Sequence, residues 1–554
     1  MSTYNLNRHL EETGMRIGFQ VVEVLLDIGS GVIKPQRDTN EQQLALSNPI
    51  ILTTILKQLP AKRSPPLQNC RLVSHFWNDM VLSLPNTKFA LKLDPSKKLN
   101  PDHDPVPFFD MCSTLDPRLA KRINATCHSY PELPVIHSFA AKFPHVCDKF
   151  SGKIQILDIS IDYERCLDSI YRALKNSCPN LKQLRITCRT EIDVSLAPVV
   201  AGNPILCVPL ELKSVLEVFS VSSMKVDIPP LSRLIQLVIN ASPNLREVTL
   251  PLGFYPDLGN SKCLDSLAIS LDDARSDDLT RAIQRNSELS RMLGQVGEQL
   301  VALTFGYDVE DAKRNMSCDF EELKRTGFQL GERFPKLRNF RNDIIDVFEP
   351  NDLIQNLEGM PALKSLEIGK LLKMSTCLDK FLAGICKSRK IFASVTNLRV
   401  KELIIPRVLN EMKTAFPNVE RLHVDILWAE VFSAMKWGMG TVLQGCSDWG
   451  ALKHLNLAVP TYPAGNEDFI GELASGGELY KRLKTLEIRS HKRHNMTEEF
   501  TEEEMATFET VLIALDELED VKISNFSFAE ECDQRIVAFL VSKHISLFKF
   551  RIGV

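Results

Sequence analysis

Three steps of the chain place hydrogen-bonding or charged groups two residues apart, with an apolar residue between. They are Arg421-x-His423, His454-x-Asn456 and Glu487-x-Arg489, and Arg185 sits in a similar setting between Leu184 and Ile186. Alternation of this kind sends the polar groups to one face of a strand and the apolar groups to the other. Such a polar face suits recognition of another macromolecule by pairing and hydrogen bonding. Covalent chemistry has less support. There is no Gly-x-x-x-x-Gly-Lys-Ser/Thr loop and no Gly-x-Ser-x-Gly elbow, and Gly29-Ser30-Gly31 has no continuation and reads as a turn. His491 and His494 lie three apart near Glu498 and Glu499, as in some metal sites, but no third ligand has defined spacing. Their charged flanks read as a solvated loop. None of the 14 cysteines has a basic or His-rich setting, and the shortest separation, Cys377 to Cys386, is not a metal or redox spacing. No catalytic, cofactor or metal site is expected.

The elements that would carry the polar face repeat along the chain. From residue 154 onward the unit is apolar-x-x-apolar-x-apolar. Examples are Ile154-Leu157-Ile159, Leu181-Leu184-Ile186, Leu245-Val248-Leu250, Leu363-Leu366-Ile368, Val419-Leu422-Val424 and Leu452-Leu455-Leu457. Copies start at 154, 181, 216, 245, 264, 300, 337, 363, 395, 419, 452, 483, 518 and 545, the 337 copy carrying Asn342 at its third site. The mean interval is about 30 residues, inside the range of repeat architectures. Pro stands two residues before the first apolar position at Pro179, Pro243, Pro335, Pro361 and Pro417, several times within x-Pro-Asn-Leu/Val. Between copies, helical spacing is visible at Leu167, Ile170, Tyr171 and Leu174, at Ile405, Val408, Leu409 and Met412, and at Met505, Phe508, Val511, Leu512 and Leu515. The acidic run at 498–504 is expected to open that last helix, where negative charge suits the dipole. Long loops are expected at 306–320 and 489–504.

This part resembles a leucine-rich repeat, and CPNLKQLRITC at 178–188 is similar to its Cys-containing type. The resemblance implies an irregular α/β solenoid with parallel strands on a concave face and helices on the convex side. A target would then meet the concave strand residues, among them Arg185, Arg421, His423, His454, Asn456, Glu487 and Arg489.

The stretch PIILTTILKQLPAKRSPPLQNCRLVSHFWNDMV at 49–81 has a different character. Leu52, Ile55, Leu56 and Leu59 form one helical stripe, with Asn48 as N-cap and Pro49 at the first helical position. Pro60 closes that helix. Leu67, Cys70 and Val73 form a second stripe, and Ser74 can cap a third helix carrying Trp77, Met80 and Val81. The stretch resembles an F-box through Pro49, Leu52, Ile55, Leu56, Leu59, Leu67, Arg71, Val73, Ser74 and Trp77. Asn48 stands where the family usually has Leu, and Ile51 where it usually has an acidic residue. The resemblance implies docking onto the adaptor subunit of a Skp–cullin–F-box ubiquitin ligase, and through it cullin. Pro49, Leu52, Ile55, Leu56, Leu59, Leu67, Val73 and Trp77 would supply the apolar contact, while Arg71 would hold the small unit together. The whole chain would be a non-catalytic substrate receptor. The alternative is a ligase-independent binding scaffold.

The expected division is an N-terminal extension at 1–44, the F-box at 45–90, a connector at 91–150 and the repeat domain at 151–554. Ile17, Val21, Val24, Leu25 and Ile28 in the extension could line a helix, with a strand as competitor. Seven prolines between 95 and 134 predict irregular structure in the connector, after a strand at 89–93. A net charge of −4 and a pI near 6.3 disfavour a nucleic-acid-binding surface. The absence of a long apolar run, of a secretory pattern and of a disulfide framework points to the cytoplasm or nucleus.

Overall fold

The computed structural model describes residues 48–58, 70–83, 90–94, 112, 114–127, 133–162, 166–189, 208–223, 228–271, 285–306, 330, 333–371, 375–427, 439–459, 466–495, 500–546 and 549–552. The helix expected in the extension and most of the loop expected at 306–320 lie outside these residues.

One parallel sheet of 16 strands runs through the chain, its strand order following the sequence. It begins with β1 (Leu91–Leu93), β2 (Arg122–Cys127), β3 (Ile156–Ile161), β4 (Gln183–Cys188), β5 (Val218–Ser223), β6 (Glu247–Pro251), β7 (Ser266–Ser270) and β8 (Ala302–Gly306). It continues with β9 (Asn339–Asn342), β10 (Ser365–Ile368), β11 (Asn397–Leu403), β12 (Arg421–Ile426), β13 (His454–Val459), β14 (Thr485–Asn495), β15 (Asp520–Ser527) and β16 (Phe550–Ile552). Helices alternate with most strands, as parallel pairing requires a crossover. The architecture is compatible with a leucine-rich-repeat-type solenoid.

The fourteen apolar triplets supply β3 to β16. In β3 to β15 the first residue of each precedes its strand and the second and third point inward from it, and in β16 the third, Phe550, opens the strand and is buried. Leu157, Leu184, Phe219, Val248, Leu267, Leu303 and Phe340 stand in register across neighbouring strands and are all buried. Helices Cys166–Asn176 and Glu502–Leu515 bury the positions their spacing marked. In the segment around 408 the helix is Val408–Ala415, and Ile405 lies before it and is exposed. Thr501 and Glu504 close a capping box at the start of the 502 helix, so the acidic run opens it as the sequence predicts.

The Pro-Asn motif has a specific use. Asn180 donates through Nδ2 to the carbonyl of Gly152, Asn244 to Ser214 and Asn418 to Ala393, at 2.7–2.9 Å. Each bond ties a repeat to the turn of the repeat before it.

Two features differ from the sequence reading. The segment at 91–150 is not wholly irregular. The strand expected at 89–93 is β1, and the segment adds β2 and the helix Leu133–Lys149, so the sheet begins some sixty residues before the expected boundary at 151. The loop expected at 489–504 is shorter, because β14 continues to Asn495 and pairs with β15 through His494 and Asn495.

Ahead of the sheet, α1 (Pro49–Gln58) and α2 (His75–Ser83) pack together. The Asn48 side chain caps α1 by accepting from the amides of Ile50 and Ile51, and Ser74 caps α2 by accepting from Trp77. Arg118 bridges Asp79 of α2 to Asp116 beside the sheet, at 2.6 Å each. Among the described residues no helix is long and apolar enough to cross a membrane.

Asn244→Ala removes one inter-repeat bond and is expected to lower stability by about 1 kcal/mol. The measurement is the urea midpoint of the full chain. An unchanged midpoint would show that the Asn bond is dispensable.

Candidate functional site

Two surfaces have the composition of binding sites, and they differ in chemistry. The first belongs to the small helical unit. Leu52, Leu56, Cys70, Trp77 and Val81 form its core, with Met80 packed against them. Leu52, Leu56 and Trp77, expected to contact a partner, are therefore turned inward in this chain. The helical stripe that identified them is the stripe that packs. Pro49 is exposed at the start of α1, and Val73 is exposed beside α2. Ile55 lies in α1, its side chain outside the described residues, as are Leu59 and Leu67 altogether. Arg71 donates from Nε to Asn78 Oδ1 at 2.9 Å, joining the turn to α2 as its expected holding role requires.

Around this core stand apolar side chains that the periodicity did not mark. Leu72 is 85% exposed and Ile50 76%, and Ile51 and Phe76 are also exposed. These exposed apolar side chains, beside a core of five residues among those described, give the unit a surface suited to an apolar partner. Ile51 adds to it, while Asn48 spends its side chain on the helix cap.

The second surface is the open face of the sheet. Register aligns one row across seven strands: Arg341, Glu367, Arg399, His423, Asn456, Glu487 and Lys522. Like charges directly opposite are unfavourable, and the row alternates accordingly. Glu367 is paired with Arg341, Arg399 and Lys401. Asn456 donates to Glu487 at 2.6 Å, and Lys522 reaches the other oxygen of Glu487 at 2.6 Å. His454 Nδ1 lies 3.0 Å from the Thr485 hydroxyl. The structure thus brings six of the seven expected residues onto neighbouring strands β12 to β14. Arg185 is separate. It lies on β4, half-exposed, 3.9 Å from Asp158.

A buried ionic knot sits at the edge of this row, and sequence spacing gave no sign of it. Asp343 is 1% exposed and pairs with Arg341 at 2.7 Å and Lys401 at 2.9 Å. Asn342, at an apolar site of its repeat, turns its side chain back to accept from the Ile344 amide, which brings Asp343 inward. Gly306 and Gly369 leave room for the carboxylate: a Cβ on either would lie 2.8 Å and 3.1 Å from its oxygens. In β11 a bulge with Glu402 at φ 59° shifts the register just after Lys401. Burial pushes the Asp343 carboxyl up, but Lys401 and Arg341 outweigh it, so its pKa lies below the ordinary range. Asp343 is ionised at neutral pH.

Two histidines of the face, His423 and His491, titrate in opposite directions. Burial first, then the Arg399 guanidinium, pushes His423 down to about 4, with Arg489 acting the same way. It is neutral at pH 7, and its Nε2 is buried without a hydrogen-bond partner. His491 is raised, chiefly by Asp425, whose Oδ1 lies 2.7 Å from Nε2. The same nitrogen lies 3.1 Å from the Ile426 carbonyl. His491 therefore folds from β14 across to β12 and is not part of a solvated loop. Among the described residues no cluster of three or more His, Cys, Asp or Glu could hold a metal ion.

No protein-family model matches the chain, and no curated protein matches it.

Lys401→Met leaves a buried carboxylate short of a partner and is expected to cost about 3 kcal/mol, whereas adding Asp343→Asn to it should restore most of the loss. Urea titration of the two single variants and the double one checks this. The His491 pair predicts a pH dependence. A raised folded-state pKa gives stability that is full below the ordinary imidazole value of 6.5 and fades as pH rises through the folded value. The stability gap between wild type and His491→Gln should therefore be widest below pH 6.5 and close in alkaline buffer. A gap that grows with pH would contradict the pairing.

Proposed function

We propose that this chain is a non-catalytic, two-ended adaptor of a ubiquitin ligase. In this reading the unit at 45–90 is an F-box that docks on a Skp-type adaptor subunit, and through it on cullin. The sheet is a leucine-rich-repeat solenoid whose open face holds a target protein. The chain contributes proximity, raising the effective concentration of target lysines near the transferring enzyme. No cofactor or metal enters, and the setting is the cytoplasm or nucleus.

The observation that carries the reading is the exposed apolar set Pro49, Ile50, Ile51, Leu72, Val73 and Phe76 on a helical unit with so small a core. Leaving such groups in water forfeits their transfer free energy, roughly 1.5–3 kcal/mol for each large side chain that a partner could cover. The motif Leu-x-x-x-Arg-x-Val-Ser-x-x-Trp at 67–77 agrees, with Ser74 and Arg71 in their holding roles. A ligase-independent scaffold is the second reading. It is favoured by Asn48, whose polar cap occupies a position where the family offers an apolar contact.

The test uses exposed positions, because aspartate at Leu56 would break the core and alanine at Trp77 would hollow it. Ile50→Asp with Leu72→Asp should leave the chain folded and abolish co-purification of the adaptor subunit. Retention of that subunit by the double variant would sink the F-box assignment. Adaptor subunit without cullin in the wild-type pull-down would select the scaffold reading.

A further inference from the structure

We infer that the open face between β11 and β14 recognises an acidic, extended polypeptide segment through Arg421 and Arg489, with Arg399 on the neighbouring strand β11. The inference rests on the reading of this face as the target-holding surface, and it names the chemistry of what is held.

The argument starts from charge accounting on this part of the face. Four carboxylates on and beside this part of the face are already matched. Glu367 is held by Arg341 and Lys401, Asp425 by His491, Glu487 by Lys522, and Asp520 by Arg551. Two guanidiniums are not. Arg421 and Arg489 are exposed and have no ion-pair partner among the described residues. They are positive charges in excess on a chain whose net charge is −4. A random solvated surface of this chain would show the opposite sign.

Position adds to sign. Arg421 opens β12, and Arg489 lies two strands away on β14, opposite Ala458 of β13. The small Ala458 side chain leaves the Arg489 guanidinium unshielded on that side. Arg399 lies beside His423, one strand over. Arg399 and Arg489 both act electrostatically on the His423 ring. His423 is neutral and its Nε2 is buried, so the cations, not the ring, would hold a bound carboxylate.

Spacing then selects an extended chain. Strands repeat at about 4.8 Å and residues along a strand at about 3.3 Å, so Arg421 on β12 and Arg489 on β14, two strands and four residues apart, are separated by roughly 16 Å on the diagonal of the face. In an extended polypeptide alternate side chains recur at roughly 7 Å. Acidic residues at alternate positions, four residues apart at the ends, therefore match the cations. Guanidinium pairs with carboxylates by parallel hydrogen bonds, which a single amide cannot replace.

The experiment is fluorescence anisotropy on the purified full chain. The probes are a labelled Glu-Gly repeat peptide, its Gln-Gly counterpart and a phosphoserine-Gly counterpart. Wild type should bind the Glu-Gly peptide, lose affinity steeply with salt and bind the Gln-Gly peptide far more weakly. Arg421→Gln with Arg489→Gln should weaken Glu-Gly binding roughly tenfold, the scale of two exposed charge pairs. Arg233→Gln with Lys380→Gln, on helices of the covered side, should change it by less than about twofold. Equal binding of Glu-Gly and Gln-Gly peptides, or equal loss in both double variants, overturns the inference. Binding confined to the phosphoserine peptide overturns the carboxylate source. Adaptor co-purification, measured on the same variants, should not move. Its loss in the Ile50/Leu72 variant tests the docking end alone, so the two readings fail separately.

Discussion

One backbone carbonyl per repeat governs this molecule. The residue just before each strand accepts two amides, both from the start of the next strand. Gln155 accepts from Lys182 and Gln183, Lys182 from Glu217 and Val218, and Glu217 from Arg246 and Glu247. The ladder continues through Arg246, Asp265, Val301, Arg338, Lys364, Thr396, Glu420 and Lys453 to Lys484. It fixes where each strand begins and leaves the return segment free. Repeat intervals can therefore range from 19 residues (245 to 264) to 37 (300 to 337) without moving a strand out of register. A one-residue slip would turn every core side chain outward. The ladder and the buried rows enforce the same register by independent means.

That register is also what assembles the open face. Residues distant in sequence become neighbours because each holds the same offset from its ladder carbonyl. Lys401 and Asp343 are 58 residues apart, yet two strands bring them to 2.9 Å. Buried charges are stable only when matched, so the knot around Asp343 constrains β8 to β11 together. Gly306, Gly369, Asn342 and the bulge at Glu402 are four departures from the repeat that serve this one carboxylate. The irregularity of the array is concentrated where its polar face is most tightly held.

Much of the sheet was legible because a parallel strand buried on one face needs only alternate apolar residues, and fourteen triplets supplied them. β1 lies within the strand expected at 89–93, but β2 was not legible: it presents the small Ala125 and Cys127 in place of branched residues, inside a proline-rich segment. Alternation also placed Arg421, His423, His454, Asn456, Glu487 and Arg489 on one face, since offset from the core is a local property. Pairing is not local, and so Lys401, Asp343 and His491 were invisible or misread. In the helical unit the failure was of another kind. Periodicity marks the stripe that packs, and Leu52, Leu56 and Trp77 pack inward. Ile50 and Leu72 lie off that stripe, so nothing in the spacing distinguished them from ordinary surface positions.

The two surfaces select partners by opposite physics, and this bears on the proposed adaptor. Contact with Ile50 and Leu72 gains from removing apolar area from water, which tolerates changes of shape and is little affected by salt. Contact with Arg421 and Arg489 gains from pairing charges and depends on the partner placing them correctly. A constant partner suits the first surface and a discriminated one suits the second. Among the described residues one link between them is the exposed bridge of Arg118 with Asp79 and Asp116, worth little by itself. A partner covering the exposed apolar side chains of the small unit would add to what holds that unit on the sheet. On this account the docking partner would do more than recruit the chain. By completing the apolar core it would fix the direction in which the open face presents its cargo.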